Sequence, residues 1–161
     1  MLRNWNTVHI LLAGSAGFIG SHLADRLLGD GHSVTGLDSY ITGSPANLSH
    51  LSSNSGFRFV EHDICEPLPL DEPVDLVMNL ASPASPKDYL EHPVSTLRTG
   101  SEGSVRLLDY ALRHGAAYLI ASTSECYGDP LEHPQRESYW GNVNPVGPRS
   151  CYDEAKRFAE A

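Results

Sequence analysis

The sequence predicts an α/β fold: a doubly wound parallel sheet with helices on both faces. Three observations carry that expectation. Short apolar runs alternate with stretches of helical periodicity along the 161 residues, the pattern of a parallel sheet. The first run, 8–12, is apolar without a break, as a strand buried on both faces is. Three glycines, Gly14, Gly17 and Gly20, stand where that strand hands over to a helix, although glycine is poor in either element.

Each element follows in order. After the strand at 8–12, Ile19, Leu23 and Leu27 recur at helical spacing until "GDGH" ends the helix. A second strand at 33–37 stops at Asp38. The polar loop "SYITGSPANLSHLSSNSG" leads to a third strand at 57–60, followed by "EHDI", and 76–81 reads as a fourth. Val94, Leu97, Ser101, Val105, Leu108 and Leu112 then line one side of a long helix. A fifth strand at 117–121 is followed by a Pro/Gly-rich loop at 128–148 and a final helical stretch.

Composition narrows the function classes. The chain is long enough for one compact domain. A net charge of -9, with no Lys/Arg cluster, argues against a nucleic-acid partner. No apolar stretch approaches membrane-spanning length, so no membrane association is expected. The start "MLRNWNTVHILLAG" runs into the first strand without a signal peptide. Cys65, Cys126 and Cys151 form no CxxC pair and read as reduced thiols of a cytoplasmic protein. The eight histidines lack ligand spacing, so no metal site is expected.

The glycine spacing has a physical use. A Gly-rich turn between the first strand and helix aims backbone N–H groups and the positive helix end at a pyrophosphate. Gly14 permits the tight turn, Gly17 lets phosphate approach, and Gly20 lets helix and strand pack closely. Asp38 then lies at a distance suited to ribose hydroxyls. An acid there repels a 2′-phosphate, which favours NAD over NADP. Asp63 is a candidate for the adenine amine or, equally, a strand-capping residue.

The spacing GxxGxxG, with "ASTSECYG" at 121–128 and "YDEAK" at 152–156, resembles the extended short-chain dehydrogenase/reductase family. That resemblance implies a Rossmann-type domain, with Tyr152 and Lys156 as the catalytic pair and Thr123 beside them. Residues i and i+4 share a helix face, so Lys156 is expected to draw the Tyr152 phenol pKa from about 10 toward neutrality. The resemblance also puts Phe18, Ile19, Ile64, Leu80, Ser82 and Thr99 at the cofactor. "NLASPASP" (79–86), "STSECYGDPLEHPQ" (122–135) and "YWGNVNPVGPRSCYDEAKR" (139–157) narrow it to the UDP-glucuronate decarboxylases. The implied reaction converts UDP-glucuronate to UDP-xylose through a 4-keto sugar. Glu125 serves positioning or proton transfer near the sugar, or is a structural carboxylate paired with an arginine. For Arg149 and Arg157, surface ion pairs are the default expectation.

The chain departs from that pattern at three positions. Gly100 and Arg106 stand where the family usually has Asn, and Asn79 where it has His. Glycine at 100 is expected to cost a helix interior roughly 1 kcal/mol relative to alanine. Residues 1–161 are expected to form one NAD-binding domain that stops after the fifth strand and catalytic helix. It would lack the C-terminal substrate-binding part, with turnover impaired and a homodimer expected for the full-length form. A nucleotide-sugar 4,6-dehydratase, a 4-epimerase, or a non-catalytic NAD-binding fragment shares the same motifs and stays open.

Overall fold

The computed structural model describes residues 7–161, so the start at 1–6, read above as leaderless, lies outside the described residues. Five parallel strands form one sheet in the order β3-β2-β1-β4-β5. They are β1 (His9–Ala13), β2 (Ser33–Asp38), β3 (Phe57–Glu61), β4 (Leu76–Asn79) and β5 (Ala117–Ile120). Helices α1 (Phe18–Gly29), α2 (Pro86–Glu91), α3 (Pro93–Arg98), α4 (Ser104–His114) and α5 (Ser150–Glu160) connect or flank them.

The central strand explains its own composition. Ile10, Leu11, Leu12 and Ala13 are all buried, because β1 has β2 on one side and β4 on the other and helices above and below. Side chains alternate between the faces. Ile10 and Leu12 join Ala24, Val34 and Met78 in one core. Leu11 and Ala13 join Leu37, Val77, Leu107 and Tyr110 in the other. The doubly wound sheet is therefore present, with a core on each side.

Two helical expectations change. Ile19 is exposed, Leu23 and Leu27 pack half-buried against the core, and the fully buried residues of α1 are Gly20, Ser21 and Ala24. Small residues let the helix lie close on the sheet. The long helix is also broken, since a π-helical turn at Thr99–Gly103 separates α3 from α4. Its inner side is made of Thr96, Thr99, Gly100, Gly103 and Ser104. Val94, Leu97, Val105, Leu108 and Leu112 point outward. The wider π turn follows i→i+5 bonding, which no residue type announces. No helix among the described residues is long and apolar enough to cross a membrane.

Strand order reverses between β1 and β4, and the crevice outside their carboxyl ends is where ligands bind in such sheets. β3 and β5 are the two edge strands.

Candidate active site

The glycine turn forms the floor of that crevice. Gly14 has φ +80, and a Cβ there would meet the Leu80 carbonyl carbon at 2.7 Å and the Ala81 nitrogen at 2.8 Å. A Cβ on Gly20 would fall 2.0 Å from the Gly14 carbonyl oxygen. Side chains at either place would fill the cradle. Gly17 is the N-cap of α1 and brings no side chain to cap it, so the first-turn amides remain available to an anion.

Two cavities, of about 70 and 460 Å³, share Gly14, Gly17, Thr42, Leu80 and Ser82 in their walls, forming one groove. The smaller end is lined by Asp38, Asp63, Ile64 and Thr99. The larger end is lined by Phe18, Ile19, Gly20, Tyr152 and Lys156. Every residue expected at the cofactor thus borders one continuous groove. Its small end has two acids, an apolar side chain and a polar rim, and its middle has a bare helix start. That donor set fits a dinucleotide such as NAD.

Asp38 ends β2 and its carboxylate is already engaged, accepting from the Ala16 N–H at 2.9 Å and the Tyr40 N–H at 2.8 Å. Each oxygen keeps a lone pair for a ligand hydroxyl. Asp63 accepts from the Cys65 N–H at 2.8 Å, so it caps the turn after β3 while also lining the groove.

Sequence reasoning missed the loop after β2. Ile41, Thr42 and Gly43 wall the groove, and the loop is tied back to the glycine turn at one atom. The Ala16 carbonyl oxygen accepts from Asn47 Nδ2 at 2.8 Å and from the Ser44 N–H at 3.1 Å. Tyr40, at φ 59, starts that turn. His62 also lines the groove, its buried Nε2 without a hydrogen-bond partner. "TGSP" was the available signal for the loop, and nothing marked His62.

At the other end, α5 presents Tyr152 and Lys156, both buried. Lys156 Nζ donates to the Ala121 carbonyl oxygen at 2.7 Å and lies 5.8 Å from the centre of the Tyr152 ring. Burial pulls its ammonium below the usual lysine range. The expected depression of the Tyr152 phenol is not found. Burial pushes it above its ordinary value, Thr123 opposes this as a hydrogen-bond partner, and Glu125, Tyr89 and Asp153 push it further up. Lys156 is not among the groups that move the phenol: its Nζ is turned to the Ala121 carbonyl, 5.8 Å from the ring centre.

Thr123 starts a short 3-10 turn at Ser124–Tyr127, where its hydroxyl accepts from the Glu125 N–H at 3.2 Å. Glu125 does not line the groove. It pairs with Arg149 and borders a separate cavity of about 430 Å³ together with Asp153, the structural pairing left open above. Burial raises the Asp153 pKa, which Arg149 opposes and Glu125 reinforces. Arg157 pairs with Glu154 at 3.5 Å and donates to the Cys126 carbonyl at 3.0 Å.

The three departures are structurally settled. Asn79 donates to Ser104 Oγ and the Tyr118 hydroxyl, and its oxygen accepts from the Ala81 N–H. Arg106 donates to the Cys65 carbonyl at 3.0 Å. Gly100 makes room for α5, since a Cβ there would lie 2.5 Å from the Ala155 Cβ.

The chain is similar to several known proteins. UDP-glucuronic acid decarboxylase 1 of Danio rerio is 52% identical over 151 residues, covering 94% of this chain and 36% of that protein. The Arabidopsis thaliana enzyme of the same name is 53% identical over 95% of this chain and 35% of its own length. The chain thus spans about a third of the length of these curated relatives. Among solved structures, UDP-glucose 4-epimerase of Thermotoga maritima, in a complex with UDP-glucose, superposes with a TM-score of 0.78. It is 29% identical, over 94% of this chain and 48% of that one. The Bordetella bronchiseptica enzyme WbmH, in complex with NAD+, superposes with a TM-score of 0.79 at 27% identity, over 96% of this chain and 49% of that one. The model of the NAD dependent epimerase/dehydratase family matches residues 10–161, and the chain belongs to that family.

Proposed function

We propose that this chain forms the NAD-binding and acid–base part of a UDP-glucuronate decarboxylase, folded as one domain over residues 1–161. The observation that carries the choice of reaction is identity: 52–53% to decarboxylases across nearly the whole chain, against 29% to an epimerase. The continuous groove from Asp38 to Lys156 supports the cofactor.

In this reading Asp38 holds the adenosine ribose, Asp63 and Ile64 border the adenine, and the first turn of α1 neutralises the pyrophosphate. NAD held there would supply the acceptor for the sugar C4 hydride and the donor that restores it. Tyr152 accepts the C4 hydroxyl proton, with Thr123 hydrogen-bonded beside it. The C4 ketone lies β to the sugar carboxylate, so it receives the electron pair of the C5–carboxylate bond as CO₂ leaves. C5 then takes a proton from solvent in place of the lost carboxylate, and Tyr152 gives its proton back to the C4 oxygen as the hydride is restored to C4. Lys156 holds the second ribose against the end of β5. Glu125, clamped by Arg149, sets the wall beyond Thr123.

We also read the full-length form as a homodimer. The outward side chains of Val94, Leu97, Val105, Leu108 and Leu112, with Phe158 on α5, support a helical face that meets a second copy. Three free, buried cysteines support a reducing, cytoplasmic setting.

The test combines NAD+ titration by calorimetry with UDP-glucuronate turnover followed by chromatography. NAD+ binding is expected from these residues, with UDP-xylose formed more slowly than about 1 per second, because the relatives carry further sequence. A product that keeps its carboxylate and is inverted at C4 would overturn the decarboxylase reading in favour of an epimerase. Absence of NAD+ binding would overturn the cofactor assignment.

A further inference from the structure

Tyr89, on α2, belongs to neither main core. It is fully buried, and with Cys151 and Tyr152 it makes a small cluster of its own. Its ring stacks on that of Tyr152, with centroids 5.0 Å apart and planes 12° from parallel. Cys151 Sγ donates to the Tyr89 carbonyl oxygen at 3.5 Å. So α2 is fastened to α5 at two points, a ring and a carbonyl. The Tyr89 hydroxyl, buried and without a hydrogen-bond partner, contributes neither.

We propose that Tyr89 is a positioning residue for the Tyr152 phenol, holding it by stacking against one face of its ring. The proposal rests on the reading of Tyr152 as the acid–base group. A phenolic oxygen lies on the axis of its own χ2 rotation, so ring spin leaves it in place. Tilt about χ1 moves it, and a flat ring at stacking distance blocks that tilt. A branched aliphatic side chain would fill the volume without fixing the plane. The geometric tolerance of such a group is small, since a displacement of about 1 Å can cost on the order of 100-fold in rate.

The same short helix reaches the groove. Ser85 and Asp88 line its larger end, and Ser85 Oγ caps α2 by accepting from the Asp88 N–H at 3.2 Å. A nucleotide sugar settling against this turn therefore acts on the phenol through Tyr89. Burial pushes the phenol above its ordinary value, and Tyr89 is among the groups that push it further up.

The experiment is NMR of ring-labelled tyrosine in the 161-residue chain, with the Tyr152 signals assigned by their loss in Tyr152→Phe. In the parent, Tyr152 ring protons are expected upfield of their usual position, and the phenol to titrate above its ordinary 10.0. Tyr89→Phe keeps both signatures. Tyr89→Leu, which keeps the volume filled, leaves the phenol titrating above 10.0 but abolishes the upfield displacement and lowers the order of the Tyr152 ring in ¹³C relaxation. Unchanged order of that ring in Tyr89→Leu overturns the proposal. So does a parent spectrum without the upfield displacement, a result that needs no variant to fold. Failure of the catalytic reading is separate: Tyr152→Phe that still turns over nucleotide sugar removes the phenol's role and leaves the stacking result standing.

Discussion

Lys156 Nζ and the Ala121 carbonyl oxygen lie 2.7 Å apart, so a buried ammonium locks α5 onto the end of β5. The Coulombic and hydrogen-bond gain is set against the cost of desolvating the charge, which is visible in its lowered pKa. Lys156→Met keeps the stem and removes the charge. Its unfolding free energy is expected to stay within about 1 kcal/mol of the parent, while NAD+ affinity falls at least about tenfold. Urea melts and calorimetry check the two halves separately. Undiminished NAD+ affinity would remove Lys156 from the ribose.

Gly100→Ala is expected to destabilise the chain by about 1–3 kcal/mol, the usual cost of overpacking. A Cβ at 100 would meet the Ala155 Cβ at 2.5 Å and the Ala155 carbonyl oxygen at 2.7 Å. Helix propensity alone argues the opposite, a gain of roughly 1 kcal/mol. Ala155→Gly in the same chain is expected to recover part of the loss, with a coupling of about 0.5 kcal/mol or more. Two independent, additive effects in denaturant melts would show that the helices do not meet here.

NAD+ is expected to bind at least about tenfold more tightly than NADP+, because a 2′-phosphate would face the Asp38 carboxylate at close range. Asp38→Asn should narrow the gap. It should also weaken NAD+ itself, since the same carboxylate holds the Ala16 and Tyr40 amides. Competition between the two nucleotides in one titration reads the ratio directly, and equal binding in the parent would end this assignment.

Stability is expected to fall as pH rises from about 9 to about 11, in part through Cys65. Burial pushes its thiol from 9.0 to about 11, and its side chain is almost fully enclosed. The folded chain keeps a proton that the unfolded chain releases, so this contribution is complete below pH 9 and lost through that window. The full difference is about 3 kcal/mol at one pKa unit per 1.36 kcal/mol. Cys65→Ala should flatten the slope of unfolding free energy against pH. An unchanged slope would mean that Cys65 ionises in the fold as freely as in the unfolded chain.

The sheet and the glycine turn were legible because their signals are local: an unbroken apolar run and glycines three residues apart. The faces of the helices were not. Apolar periodicity marked Val94, Leu97 and Val105, yet the inner face is built of Thr96, Thr99, Gly100 and Gly103, since close packing of Gly100 on Ala155 and of Gly103 on Ile64 selects for small size and not for hydrophobicity. Glu125 and Arg149 pair across 24 residues of chain, and no spacing rule reaches so far. The phenol of Tyr152 was misjudged for a related reason. Its pKa depends on what buries it, and Tyr89 comes from a helix more than sixty residues earlier.

The groove crosses the seam between β1 and β4, with Asp38, Asp63 and Ile64 on one bank and Tyr152 and Lys156 on the other. A dinucleotide lying along it acts as a removable staple across that seam, added to the pairing of β1 with β4 and to the core that Leu11 and Leu37 share with Leu107 and Tyr110. Occupancy then adds its binding free energy to every opening motion that separates the banks, and nothing to motions within either one. Amide exchange in α2 and α5 should slow in step with cofactor concentration, while fraying at the far ends of the strands continues unchanged. The ligand would thereby set which part of the molecule opens first.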